Sequence, residues 1–337
     1  MNFARFKKLA NRLFRSFKSV DYFAESSHRL YTHDIRYEID KLLLPSYLKE
    51  IEDPGFKQKY LDLIDGLDEA SVLTVSKIIS RATQIKDFEY RLAIDIFSSK
   101  EKEVLDFLKY EYLPSFVKLE EGLYSYKNWL FPSNQVSPCA AYYKHFVEEL
   151  TSLPLIENKC FIDAGAYIGD SALFLSPYTR DKVFAFEPLL SNYEMLLKTI
   201  HLNALKNVIP LNLGLGSKDE FVNIVSELSA SRYSSVPASN TEPTHVTTLD
   251  DFVRKNNLNV GLIKVDVEGF EKELLKGAVN TIETQQPSLL LSIYHSGDDF
   301  FDIKKTIEQL NLGYRFKIRQ QFAGSALPET LLIAEVS

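Results

Sequence analysis

Phe161-Ile162-Asp163-Ala164-Gly165-Ala166-Tyr167-Ile168-Gly169-Asp170-Ser171 is the stretch on which the fold turns. Lys159–Asp163 is short and mostly apolar and predicts a buried strand, and the pattern beyond Gly169 predicts a helix through Leu173–Leu175. Between them lie two glycines four positions apart. Lacking Cβ, Gly165 and Gly169 let the backbone bend sharply and let a ligand approach it. A tight turn between a first strand and its helix is where open α/β sheets bind their ligands.

Downstream, strands and helices alternate. Lys182–Glu187 reads as a second strand, and Ser191-Asn192-Tyr193-Glu194 as a capping box opening a helix with Leu196, Leu197 and Ile200. Asn207–Leu213 is a third strand. Ser229–Thr244, rich in Ser, Pro, Asn and Thr, reads as a long loop, either a substrate lid or a plain connection. Thr248-Leu249-Asp250-Asp251 starts a helix, Val260–Asp266 and Pro287–Tyr294 are buried-strand runs, and Gly313–Arg319 with Thr330–Val336 form a closing hairpin. This alternation predicts a parallel sheet covered by helices on both faces.

Upstream the texture changes. Of 13 glycines only Gly55, Gly66 and Gly122 fall in the first 150 residues, so residues 1–125 are read as a mainly helical region and 126–337 as the α/β domain. Ser98-Ser99-Lys100-Glu101 is a capping box ahead of Val104, Leu105 and Leu108. Phe3, Phe6, Ala10, Leu13, Phe17 and Val20 form an apolar stripe, and Arg5, Lys7, Lys8, Arg12, Arg15 and Lys18 precede the first acid, Asp21. Residues 1–20 therefore fit either a peripheral contact with an anionic membrane surface or a helix docked on its own protein. Tyr110, Tyr112, Phe116, Tyr124, Tyr126, Trp129 and Phe131 suit core packing, with sugar stacking as the alternative.

The 337 residues carry 45% hydrophobic and 25% charged positions, ordinary for a globular protein. A net charge of -7 gives no overall basic field for nucleic acid. Cys139 and Cys160 have no C-x-x-C spacing, which argues against a disulfide framework or zinc site and fits a cytoplasmic setting. No apolar run approaches the ~20 residues of a membrane span, and no signal-peptide pattern is present.

The spacing of the glycines selects among ligands. Dinucleotide sites use G-x-G-x-x-G, whereas here the pattern is G-x-x-x-G, without the glycine that admits a pyrophosphate. Asp163 can accept from a cationic amino group, and the N-terminus of the helix after Gly169 suits a carboxylate. Glu187, ending the second strand, can accept from both hydroxyls of a ribose. Amino group, carboxylate and ribose together describe S-adenosylmethionine better than a nicotinamide cofactor.

From about Tyr126 onward the chain resembles the FkbM family of methyltransferases. The resemblance rests on Phe161–Ser171, Ala185-Phe186-Glu187-Pro188, Thr248-Leu249-Asp250-Asp251, Ile263-Lys264-Val265-Asp266-Val267-Glu268-Gly269-Phe270-Glu271 with Leu274–Ala278, and Ser292-Ile293-Tyr294-His295. It implies a class I, Rossmann-like methyltransferase fold with a seven-stranded sheet whose last strand is antiparallel. It also implies S-adenosylmethionine as methyl donor and O-methylation, often of sugars in polysaccharides or secondary metabolites. Members similar to this chain often carry a histidine near Arg319, where Gln320 and Gln321 stand here. The candidate cofactor contacts are Asp163, Gly165, Ala166, Tyr167, Gly169, Asp170, Glu187, Pro188, Leu213, Gly214 and Asp266.

A hydroxyl acceptor must lose its proton as the methyl is transferred, and a positioned base contributes about 10²–10⁴-fold. His295 ends one strand and is the expected general base. Asp266 is expected to orient it or hold the cofactor, and Glu268 to bind the acceptor hydroxyl. No residue is assigned to a metal, although Asp266, Glu268 and His295 together would offer mixed nitrogen and oxygen ligands. Lys264, inside an apolar strand, needs a partner and is as well explained by a structural ion pair as by catalysis. The acceptor is expected to be a sugar hydroxyl. A non-sugar small molecule and a non-catalytic binding module are the alternatives.

Overall fold

The computed structural model describes residues 35–87, 97–227, 230–234 and 241–336. The basic amphipathic stretch of residues 1–20 lies outside them. Helices α1 (Ile35–Ile51), α2 (Phe56–Ile64), α3 (Glu69–Asp87) and α4 (Ser99–Phe107) come first. Both halves of the Ser98/Glu101 capping box are formed at the start of α4. A small antiparallel sheet follows, β1 (Val117–Glu120), β2 (Leu123–Tyr126) and β3 (Trp129–Phe131). The expectation of a mainly helical start thus misses a meander. Its signal was Gly122, which takes φ +71° in the turn between β1 and β2. Tyr112, Tyr126 and Phe131 are buried there, while Tyr110 is exposed, so the aromatic stretch is largely core.

The main sheet contains β4 (Cys160–Ala164), β5 (Val183–Phe186), β6 (Val208–Leu211), β11 (Val260–Val265), β12 (Ser288–Ser292), β13 (Arg315–Gln320) and β14 (Thr330–Glu335). Their spatial order is β13-β14-β12-β11-β4-β5-β6. The pairs from β12 to β6 are parallel, and β14 runs antiparallel between β12 and β13. This is the predicted class I topology. β4, β11, β12 and β14 are buried at every position, as strands covered on both faces must be. Helices α5 (Asp170–Leu175), α6 (Leu190–Leu202), α7 (Leu249–Asn256), α8 (Glu271–Lys276), α9 (Val279–Gln285) and α10 (Gly297–Glu308) provide the connections. The Thr248 side chain caps α7 as expected. Ser191 does not cap α6. That helix starts two residues earlier at Leu190, where Glu187 accepts the Leu189 N–H.

Between β6 and α7 the chain forms a second sheet of β7 (Gly214–Leu215), β8 (Glu220–Glu227), β9 (Ala230–Ser234) and β10 (Thr241–Thr247), ordered β7-β10-β8-β9. Most of Ser229–Thr244 is therefore strand and not loop, which removes the lid reading for its described part. Thr and Ser are turn formers by composition, yet here strand pairing with Phe221–Val225 overrides that preference.

The N-terminal helices do not stand apart. Tyr47, Leu63, Val75 and Ile78 are buried in one cluster with Ile263, Leu289, Phe300 and Ile318 of the sheet and its helices. Ser71 Oγ on α3 accepts the Ile318 N–H at 2.8 Å, and Asp68 pairs with Arg319 at 2.8 Å.

Candidate active site

The glycine turn is shaped first by packing. Gly165 has φ +79°, and a Cβ there would sit 1.8 Å from the Asp266 carbonyl oxygen. The turns after β4 and β11 thus touch backbone to backbone, and Asp266 N donates to the Ala164 carbonyl at 3.0 Å. Gly169 has φ +87°, and a Cβ would meet Leu196 Cδ1 of α6 at 2.7 Å. Gly169 therefore serves helix packing.

Register places Lys264 opposite Asp163 on adjacent strands. Lys264 Nζ lies 3.1 Å from Asp163 Oδ1 and donates to the Gly165 carbonyl at 2.8 Å, with both side chains fully buried. Ser171 Oγ donates to the other Asp163 oxygen at 2.5 Å. Asp163 is thus committed to holding the turn, which corrects its expected role at a cofactor amino group. Lys264 is structural. Asp170 is also engaged: it accepts the N–H of Ser137 at 2.7 Å and that of Ser171 at 3.0 Å. Its own carboxylate closes the α5 N-terminus, so that end is not free for a ligand carboxylate. Burial pushes the Asp170 carboxyl up to about 6.

Glu187 ends β5. Its Oε2 accepts the Tyr167 N–H at 2.9 Å, and Oε1 accepts from Leu189 N at 3.0 Å and Asn192 Nδ2 at 3.4 Å. Burial pushes it up to about 7 despite these donors. Each carboxylate oxygen can accept two hydrogen bonds, so Oε2 retains capacity for a hydroxyl. Gly165, Tyr167, Pro188, Leu213 and Asp266 are partly exposed around it, whereas Ala166 and Gly214 are buried. An open rim of strand ends around one carboxylate fits a nucleoside.

The second half of the site lies beyond β11 and β12. The turn Asp266–Phe270 is tight, with positive φ at Glu268 (55°) and Gly269 (93°). It carries Asp266 and Glu268 towards His295. His295 Nε2 is 3.6 Å from Asp266 Oδ1 and 3.4 Å from Glu268 Oε2, and Nδ1 is 2.9 Å from Glu271 Oε1. Burial disfavours charging His295, but Glu271 and Glu268 override it and hold the imidazole well above its ordinary range. The neighbouring carboxylates favour the protonated imidazole, so a general-base role for His295 requires that proton to leave first. Its convergence with Asp266 and Glu268 does occur.

Two residues were missed. Glu271 is fully buried and accepts the Val267 N–H at 3.0 Å. Glu329 precedes β14, far away in sequence, with φ 62°. It accepts from Cys139 Sγ at 3.0 Å and is pushed up to about 7, by burial and then by the charge of Asp266, with Glu268 adding to it. No local motif marks Glu329. Gln320, near the position where similar chains carry a histidine, donates to the carbonyls of Ala326 (3.0 Å) and Pro328 (3.1 Å) and fixes the loop leading to Glu329.

Residues 163–316 match the family model described as the methyltransferase FkbM domain. The chain is 30% identical over 158 residues to hexuronic acid methyltransferase AglP of Haloferax volcanii, covering 46% of this chain and 64% of that protein. It is 24% identical over 213 residues to Methyltransferase 1 of Beauveria bassiana, covering 54% and 83%. The solved structure of methyltransferase FkbM from Methylobacillus flagellatus superposes with a TM-score of 0.50 at 19% identity, over 82% of this chain and 58% of that one. At that identity the likeness concerns the fold. The chain spans less than two thirds of AglP and of the solved FkbM chain.

Proposed function

We propose that this protein, whose residues 163–316 match the FkbM methyltransferase domain model, transfers a methyl group from S-adenosylmethionine to a hydroxyl, on a sugar unit of a glycan or glycosylated metabolite. The observation that carries the reading is the meeting of two half-sites at the carboxyl ends of the parallel strands. One is Glu187 with the open rim of Gly165, Tyr167, Pro188 and Leu213. The other is the carboxylate cluster around His295.

Glu187 would take the ribose hydroxyls, and the Gly165 turn would line the cofactor's path. When bound, S-adenosylmethionine supplies an electrophilic methyl on a cationic sulfur. The chain's part is to hold the acceptor oxygen in line and take its proton. Orientation of this kind is worth roughly 7–11 kcal/mol. Glu329 is suited to the proton, because a base with a pKa near the working pH combines availability with driving force. Sugar chemistry is supported by the 30% identity to a hexuronic acid methyltransferase. Asp266, Glu268, Glu271 and Glu329 crowd the acceptor side with negative charge.

Mass spectrometry of glycans incubated with the full chain and S-adenosylmethionine tests this. One added methyl per acceptor is expected, lost by about 10²–10⁴-fold in Glu329→Gln. Cofactor binding without transfer to any hydroxyl would overturn it in favour of a non-catalytic module.

Among the described residues no helix is long and apolar enough to cross a membrane.

A further inference from the structure

We propose that Asp266, Glu271 and His295 form a divalent-cation site, with Glu268 at its rim, beside the acceptor. One oxygen from each of the two carboxylates and one imidazole nitrogen lie within 4.8 Å of one another. Side-chain oxygens and imidazole nitrogens bind such a cation at about 2.0–2.2 Å, so groups this close converge on one ion with small side-chain adjustments.

Hydrogen bonding does not account for the arrangement. His295 Nε2 stands 3.6 Å from Asp266 and 3.4 Å from Glu268, long for a charge-assisted bond. His295 Nδ1 lies 2.9 Å from Glu271 Oε1, but neither ring nitrogen makes a well-aligned hydrogen bond, although the side chain is only 6% exposed. Glu271 Oε2 is likewise buried and unpartnered, while Oε1 takes the Val267 N–H. Unsatisfied buried polar atoms that share one point are what a missing ligand leaves behind.

Charge argues the same way. Among the described residues, the ion pairs of Asp266, Glu268 and Glu271 run to His295 alone. Lys264 is held by Asp163. One imidazole faces three carboxylates in a largely buried space, and uncompensated buried charge is costly. A divalent cation would take the place of the imidazole proton, which frees a nitrogen lone pair to bind it, and would lower the excess negative charge further. Mixed imidazole and carboxylate ligands suit a first-row transition ion such as Mn²⁺ better than Mg²⁺, which prefers oxygen alone. The site's role in polarising the acceptor hydroxyl rests on the methyltransferase reading. Its existence does not.

The test is Mn²⁺ titration of the chelator-stripped full chain, read by electron paramagnetic resonance of free Mn²⁺. One saturable Mn²⁺ per chain is expected. Affinity should fall at least about tenfold in His295→Ala and in Asp266→Asn, with melting temperature retained in Asp266→Asn, whose side chain is partly open to solvent. The exposed-surface control Asp251→Asn should bind as the parent does. No saturable binding, or equal binding in both site variants, overturns the proposal. Mn²⁺ binding without methyl transfer would leave it standing and sink the functional reading instead.

Discussion

Gly165 and Glu187 show how much a single residue can carry. The φ of +79° at Gly165 and the 1.8 Å approach of a Cβ to the Asp266 carbonyl leave no room for any other residue without moving a strand end. Glu187 joins three segments by accepting from Tyr167, Leu189 and Asn192. Glu187→Gln keeps the size but replaces a charged acceptor with a neutral one. A hydrogen bond to a charged group is worth about 1.5–3 kcal/mol, so the variant should bind S-adenosylmethionine roughly 10- to 150-fold more weakly. Calorimetric titration with the purified chain measures this. Unchanged affinity would remove Glu187 from the cofactor site.

At the scale of elements, α1 has a role that its sequence does not display. Asp40 accepts the backbone N–H groups of Ala326 and Leu327 at 2.8 Å each, fixing the loop that leads to Glu329. Tyr47 donates to the Tyr294 carbonyl at 3.3 Å, and Ser46 Oγ accepts the Gly297 N–H at 3.0 Å. Both loops that bring acceptor-side residues together therefore lean on one N-terminal helix. Asp40→Ala would leave two buried N–H groups unpartnered, at about 1–3 kcal/mol each. Denaturant unfolding should show a loss of about 2–4 kcal/mol, and kcat should fall while cofactor affinity stays constant. A loss of stability with kcat unchanged would confine α1 to a structural role.

For the whole molecule, buried carboxylates set the response to pH. Burial raises Asp40 and Glu187 to about 7 and Asp170 to about 6. Their unfolded values are near 4, so the folded chain binds more protons between about pH 4 and 7, and stability falls as pH rises through that window. Glu101 shifts the other way: burial opposes its charge, but Arg81 and Ser98 win and lower it to about 2. Asp68 is lowered by Arg319. Their contribution is present above pH ~4 and lost in acid. The melting temperature of the cofactor-free, metal-free chain should therefore be higher at pH 5 than at pH 8. Differential scanning fluorimetry across that range checks it, and a steady rise towards pH 8 would contradict the burial argument.

Legibility followed the range of the interactions. The α/β class, most of the main-sheet strands, the glycine turn and the approach of Asp266, Glu268 and His295 were readable because each rests on local periodicity or on a motif of a few residues. The strands within Ser229–Thr244 were not, because partners elsewhere decide whether polar, β-branched residues pair or loop. The duties of individual groups were settled only in three dimensions. Asp163 meets Lys264 through strand register, and Glu271 and Glu268 raise the affinity of the His295 imidazole for a proton. Glu329 reaches the site from far along the chain, by way of a loop that Asp40 and Gln320 hold. Backbone propensity and hydrophobic pattern act over a few residues and are written in sequence. Charge state and pairing depend on which distant groups share a buried space, and only packing decides that.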